Sequence, residues 1–206
     1  DSTDKSIYTS AQGYHDNVMD VRLPGSVHFV HKVIEEVEAM YRAAGLKFTD
    51  IHIGGDEVPD GVWNGDKNAG CRFVADICRW IKARGINIAG WQEIANRDAM
   101  DSLTAYCWND ANGKVYSDMV SKGIPVVWCN VYNLYFDLTY SHAFNEQGHN
   151  WSSPVNEYSS LAVGIPMDKN GRAAVKGLQG QLWSETLFDV RSREYALFPK
   201  MFGLVE

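Results

Sequence analysis

Several things are scarce in this 206-residue chain, and each scarcity excludes a class of protein. It holds only four cysteines, too few to define a disulfide framework at this length. None of them forms a Cys-x-x-Cys or a Cys/His pair with metal-ligand spacing, which leaves buried free thiols as the expectation. Cys71 and Cys78 fall seven apart, on one face of a predicted helix, and Cys107 and Cys129 fall on neighbouring predicted strands. No apolar run is long enough to cross a bilayer, and no internal repeat or low-complexity tract interrupts the chain. Basic charge is outweighed, with a net charge of −7. That balance argues against a nucleic-acid partner, whose affinity rests on Lys and Arg.

What is present reads as a globular α/β segment. Apolar residues make 45% and charged residues 22%, close to ordinary soluble usage, and a chain this long can bury a sizeable core. The aromatic share of 12%, with seven Trp and ten Tyr, is high and suits carbohydrate stacking as well as an aromatic core. Periodicity gives a βα alternation. Ser26 is a candidate cap for a helix running to about residue 44, with Val27, Val30, Val33, Ile34, Val37 and Tyr41 as its apolar stripe and Gly45 as its stop. A strand follows at about 49–55, then a helix at about 67–84 ending before Gly85. Strands are expected near 86–91 and 103–108, a helix near 112–122 before Gly123, and a strand near 124–130. A long polar and aromatic loop fills about 131–176. A strand near 177–183 and a helix from about Arg191 complete the reading. All five strands are apolar enough for burial on both faces, as parallel strands require.

The densest chemistry lies at His52-Ile53-Gly54-Gly55-Asp56-Glu57. Two glycines let the backbone turn sharply or approach a neighbour closely. Two carboxylates then stand at the carboxyl end of a buried strand, where α/β barrels build catalysis. Alternatively this is a turn and an acidic helix start. Trp91, Trp108 and Trp183 each close a β-like run, and Trp151 lies in the long loop. One such Trp reads as core; three at equivalent strand ends point to a shared pocket.

These segments carry a resemblance. HIGGDE at 52–57, GWQE at 90–93, YCW at 106–108, LYFD at 134–137 and QLWSE at 181–185, together with the opening stretch from Asp4 to Val18, resemble family 20 glycoside hydrolases, the β-N-acetylhexosaminidases, and among them the bacterial chitobiase branch. The likeness spans nearly the whole chain in the expected order. It implies a (β/α)8 TIM barrel of which residues 1–206 form a partial catalytic domain, strands four to eight with their helices, since a closed barrel needs eight strands and about 250 residues. The remaining amino-terminal strands, one of which normally supplies a sugar-gripping arginine, would then be the chain's partner, and the fragment by itself would be prone to self-association through open sheet edges.

The resemblance also implies roles. Ordinary retaining glycosidases place two carboxylates about 5 Å apart on opposite sides of one bond. Asp56 and Glu57 are adjacent, so their side chains diverge, and this family is an exception in which the substrate's own 2-acetamido group attacks the anomeric carbon. Glu57 would be the general acid and then base. Asp56 would orient the acetamido N–H, and Tyr135 would donate its hydroxyl to the acetamido oxygen. Trp91, Trp108 and Trp183 would wall the pocket, Asp137 and Glu185 would bind the non-reducing hydroxyls, and Trp151 would stack on a second sugar. His52 would support the acid or be a satisfied core histidine. The implied activity is removal of terminal β-linked N-acetylhexosamine from amino-sugar oligosaccharides, without cofactor or metal, in a periplasmic or secreted setting. Two rivals remain. One is a carbohydrate-binding fragment without turnover. The other is a metal hydrolase using His52, Asp56 and Glu57, for which His142 and His149 show no partner spacing.

Overall fold

The computed structural model describes residues 3–15, 17–59, 62–95, 103–164, 167, 170 and 175–205. Asp16 of the opening stretch and parts of the expected 131–176 loop lie outside the described residues. The elements, in chain order, are α1 (Pro24–Ala43), β1 (Asp50–His52), α2 (Ala69–Ala83), β2 (Asn87–Trp91), α3 (Gln92–Ala95), β3 (Leu103–Cys107), α4 (Lys114–Ser121), β4 (Val126–Trp128), α5 (Val131–Leu134), α6 (Glu157–Leu161), β5 (Val175–Leu178), α7 (Val190–Leu197) and α8 (Lys200–Val205). The strands follow the order β1-β2-β3-β4-β5 in a five-stranded sheet, and the paired strands run parallel. This is the α/β alternation expected of part of a (β/α)8 barrel. The chain divides into two compact units, Asp1–Thr104 and Ala105–Glu206. Among the described residues, no helix is long and apolar enough to cross a membrane.

In the first unit β1 pairs with β2, Ile51 opposite Ile88. The ladder runs past the named strand, with Ile53 N–H donating to Ala89 O at 2.9 Å and Trp91 N–H to Gly54 O at 3.0 Å. The helix start differs from expectation. Pro24 sits in the first turn, where its fixed φ suits a helix and its missing N–H costs nothing. Ser26 is therefore inside α1, not at its cap, and its Oγ donates to Asp20 O at 2.6 Å. The stripe is also narrower than expected. Ile34 is buried and Val27, Val30 and Val37 are half-buried, but Val33 and Tyr41 are exposed. Val33 lies one residue, about 100°, off the buried line, and Tyr41 sits at the last turn with its ring 5.0 Å from that of Phe48. Gly45 and Gly85 end α1 and α2 in left-handed conformations, φ +72° and +74°, as their positions foretold. α2 buries Ile77, Cys78 and Ile81.

In the second unit β3 pairs with β4 and β4 with β5, where one extra residue, Lys176, shifts the register between Val126/Val127 and Val175/Gly177. β5 is shorter and earlier than the expected 177–183, because the chain changes partner: Gln179 N–H still donates to Trp128 O at 3.0 Å, whereas Gln181 bridges to Tyr135. Burial on both faces, expected of all five strands, fails at the two ends of the strand order: Asp50 and His52 of β1 and Lys176 of β5 are exposed. The expected 131–176 loop contains two short helices. Asn130 caps α5 by accepting from Tyr132 N–H, and Asn156 forms a capping box with Ser159 on α6. Helices of four or five residues are too short to show a 3.6-residue period, which is why they read as loop. The helix expected from Arg191 begins at Val190 under an Asp189–Ser192 capping box, and α8 follows it. All four cysteines are free, with Cys78, Cys107 and Cys129 buried and Cys71 half-buried; Cys129 Sγ donates to Cys107 O at 3.3 Å.

Candidate active site

The predicted residues form two groups, one in each unit. The first is built on β1, β2 and the turn after β1. Gly54 and Gly55 have φ of +71° and +95°, a region glycine enters without a Cβ penalty. A Cβ at Gly55 would meet Ile94 Cγ2 at 2.0 Å, and one at Gly90 would meet Ile94 Cδ1 at 2.0 Å and Gly54 O at 2.9 Å. Ile94, on α3, is fully buried. It is thus gripped between two glycines, one from each motif, so HIGGDE and GWQE are locked together by one isoleucine that sequence reasoning passed over.

That lock presents the two acids. Glu57 itself has φ +52°, a left-handed backbone in a residue that carries a side chain, at a cost on the order of 1–3 kcal/mol. The peptide is pinned by Ala11 N–H donating to Glu57 O at 2.8 Å. The Glu57 carboxyl titrates above its ordinary value, first through burial, then through the negative charges of Asp56 and Glu93. Strained backbone and a raised carboxyl pKa at one residue are features that cluster at functional sites. His52 Nδ1 accepts from Gly54 N–H at 3.2 Å, and its ring meets the edge of Trp91 at 5.0 Å. Partial desolvation of the ring holds its pKa below the usual value despite the nearby Asp56 charge. Trp91 is half-buried, at the end of β2.

The second group surrounds Tyr135, which is buried just beyond α5. Its ring lies 6.2 Å from Trp108, 6.2 Å from Trp151 and 6.1 Å from Trp183. Trp151 and Trp183 are partly exposed, at 53% and 37%, which sets them apart from core tryptophans such as Trp128 at 4%. Asp137 is fully buried. Its Oδ1 accepts from Trp183 N–H at 3.3 Å, while the buried Oδ2 has no hydrogen-bond partner among the described residues. Burial pushes its pKa up; the Trp183 N–H and His149 oppose that, and Glu185 adds to it. Glu185 is exposed, with its Oε2 3.6 Å from His149 Nε2. A buried, half-satisfied carboxylate beside a partly exposed aromatic cage suits a polyhydroxyl ligand with an apolar face.

The backbone around Asp137 explains its placement. Phe136 N–H donates to Gln181 O at 2.8 Å and Gln181 N–H to Leu134 O at 2.7 Å, which brings LYFD beside QLWSE. On the other side His149 N–H donates to Asp137 O and Thr139 N–H to His149 O, both at 2.8 Å. Gly148, φ +125°, permits this approach, since a Cβ there would lie 2.7 Å from Asp137 O. His149, which had no visible partner in the sequence, is therefore structural to the pocket and paired with Glu185. Its only sequence signal was the Gly-His pair in a polar loop.

With this geometry in place, comparison with known proteins is informative. The model of glycosyl hydrolase family 20, catalytic domain, matches residues 1–206. The chain is 26% identical to a beta-hexosaminidase of Vibrio vulnificus, covering 100% of this chain and 30% of that protein, and 28% identical to a beta-hexosaminidase of Vibrio furnissii, covering 99% and 36%. In structure it resembles a family 20 exo beta-N-acetylglucosaminidase from Vibrio harveyi solved in complex with N-acetylglucosamine, with a TM-score of 0.78 and 27% identity over 100% of this chain and 34% of that one. The chain thus spans about a third of the length of the relatives it matches. Matched along its entire sequence by the family's catalytic domain, it belongs to glycosyl hydrolase family 20.

Proposed function

We propose that this chain carries the acid/base and sugar-binding machinery of an exo-acting β-N-acetylhexosaminidase that removes terminal β-linked N-acetylglucosamine or N-acetylgalactosamine by substrate-assisted, retaining catalysis. The observation that carries the reading is Glu57, held in a left-handed backbone conformation with its carboxyl pKa raised by burial and by Asp56. A carboxyl that holds its proton more tightly than usual is what a general acid requires.

In this mechanism Glu57 gives its proton to the glycosidic oxygen as the bond to the anomeric carbon breaks. The substrate's acetamido oxygen forms the new bond to that carbon, producing a cyclic oxazolinium ion. Asp56 accepts the acetamido N–H and balances the positive charge, and the Tyr135 hydroxyl donates to the acetamido oxygen and aligns it. Glu57, now ionised, takes a proton from water as the water oxygen attacks the anomeric carbon and the ring reopens, so the configuration is retained. Trp91, beside the acids, and Trp108 and Trp183, around Tyr135, are the aromatic faces assigned to the acetamido group and the sugar ring. Asp137 and Glu185 take the non-reducing hydroxyls, which makes the site exo-acting, and Trp151 offers a surface for the next sugar. The partly exposed indoles around Tyr135 and the buried, unpartnered Oδ2 of Asp137 support these assignments.

The test is Glu57→Gln in the intact protein, assayed on N,N'-diacetylchitobiose and on an aryl β-N-acetylglucosaminide with an acidic leaving group. Loss of general acid catalysis should cost about 10²–10⁴ in rate on the disaccharide and distinctly less on the aryl substrate in the bond-breaking step. Equal activity of wild type and variant on the disaccharide overturns the assignment. A wild type that binds N-acetylglucosamine but turns over neither substrate leaves a binding module instead.

A further inference from the structure

One ionisable group lies deep in the second unit and has no part in the chemistry above. Lys200, the first residue of α8, is fully buried. Its Nζ donates to Phe136 O at 2.8 Å and to Leu138 O at 2.5 Å. It also sits 3.9 Å from the centre of the Tyr140 ring. The site is tightly built. The Tyr140 hydroxyl is within hydrogen-bond distance of Tyr195 O (2.8 Å) and Phe198 O (2.7 Å), and Ser160 Oγ donates to Lys200 O at 2.6 Å. Gly203 lets α8 press against α6, for a Cβ there would lie 2.4 Å from Ser160 Oγ and 2.7 Å from Glu157 O.

The two carbonyls that Lys200 holds are those immediately before and after Asp137. Phe136 and Asp137 form a turn, closed by Leu138 N–H donating to Tyr135 O at 3.3 Å. Here Phe136 O and Leu138 O face Lys200, and Asp137 O, between them, faces the His149 N–H. The ammonium thus ties together the two carbonyls that flank Asp137 in this turn. Burying an ammonium is expensive unless it is hydrogen-bonded; burial lowers the Lys200 pKa to about 8, against the raising effect of Asp137, Glu146 and Glu157. A methionine would fill the same space without that cost and would leave two buried carbonyls unsatisfied.

We propose that Lys200 is a positioning residue for the sugar site: by clamping the carbonyls on either side of Asp137 it holds the Asp137 carboxylate and the Tyr135 ring at the angles the substrate requires. The inference rests on the functional reading above, in which both residues touch the sugar. Removing the clamp frees the Tyr135–Leu138 segment to move, and displacement by about 1 Å can cost about a hundredfold in rate.

The experiment is a mutant cycle in the intact protein, with an aryl β-N-acetylglucosaminide as substrate. Lys200→Met should lower kcat/KM by about 10- to 100-fold in the wild-type background and by less than about threefold when Asp137→Asn is already present. Lys200→Arg, which keeps two donors, should recover most of the loss. An equal fall in both backgrounds, or no fall, overturns the proposal. Should Lys200→Met fail to fold, amide hydrogen exchange in Lys200→Gln decides. Faster exchange at the His149 and Trp183 amides, which donate to Asp137, with the Cys129 and Val131 amides unchanged, supports the clamp; a uniform increase refutes it. A wild type without turnover refutes the glycosidase reading, and the exchange pattern still decides the role of Lys200.

Discussion

Replacing Gly55 by alanine should damage this protein out of proportion to one added methyl group. A Cβ at Gly55 would lie 2.0 Å from Ile94 Cγ2 and 3.5 Å from Ile94 Cβ, whereas unstrained carbons sit about 3.5–4.0 Å apart. Ile94 has no simple retreat, because it is fully buried and already fills the space above Gly90. Two costs combine. Left-handed backbone, φ +95° at Gly55, costs an alanine about 1–2 kcal/mol. Forcing a methyl into a filled core costs about 1–3 kcal/mol. Alanine also restricts the unfolded chain, which returns about 0.4–1 kcal/mol. The net loss is then about 1–5 kcal/mol, a large part of a domain's usual 5–15 kcal/mol or so. Urea unfolding followed by circular dichroism measures it, and the double mutant with Ile94→Ala separates the two costs. Ile94→Ala alone should cost about 2–5 kcal/mol. Combined with Gly55→Ala, it removes the overlap but not the backbone strain, so the double mutant should be more stable than the sum of the singles by about 1–3 kcal/mol. Additivity within about 0.5 kcal/mol, or a Gly55→Ala variant as stable as wild type, would refute the glycine–isoleucine lock. Since the same turn carries Asp56 and Glu57, turnover should fall in whatever fraction remains folded.

Other outcomes follow from the site. Glu57 has a folded-state pKa above its unfolded value, so the folded state binds that proton more tightly; the penalty is absent below the unfolded pKa, grows as pH rises through the window up to the folded pKa, and is complete above it. Glu57→Gln should therefore gain unfolding midpoint over wild type as pH rises above the unfolded Glu pKa of about 4.3, and a difference that stays constant across that rise would sink the argument. Trp183 is 37% exposed, so Trp183→Ala should lose far less than the 3–5 kcal/mol or so typical of a buried Trp, while KM for a β-N-acetylglucosaminide rises sharply. A large drop in melting temperature with unchanged KM would make Trp183 a core residue instead.

The chain's local chemistry was enough to determine the α/β alternation, the ends of α1, α2 and α4 at Gly45, Gly85 and Gly123, the free thiols, and the ordered motifs that mark the family. Each depends on neighbours within a few residues, on a 3.6-residue or two-residue period, or on a glycine that alone tolerates positive φ. It also listed the residues that the proposed mechanism uses. It did not reveal α3, α5 or α6, which are too short to show a period, nor the partner change at Gln181 that shortens β5. Only the tertiary structure decided that Ile94 is gripped by Gly55 and Gly90, that Glu57 takes a left-handed backbone, that Asp137 is buried with Glu185 left exposed, that His149 pairs with Glu185, and that Lys200 lies beneath the LYFD segment. The partners of Asp137 alone lie at positions 149, 183 and, through its neighbouring carbonyls, 200. Burial, strain and pKa are set by such distant contacts, and they exist only once the chain has closed on itself.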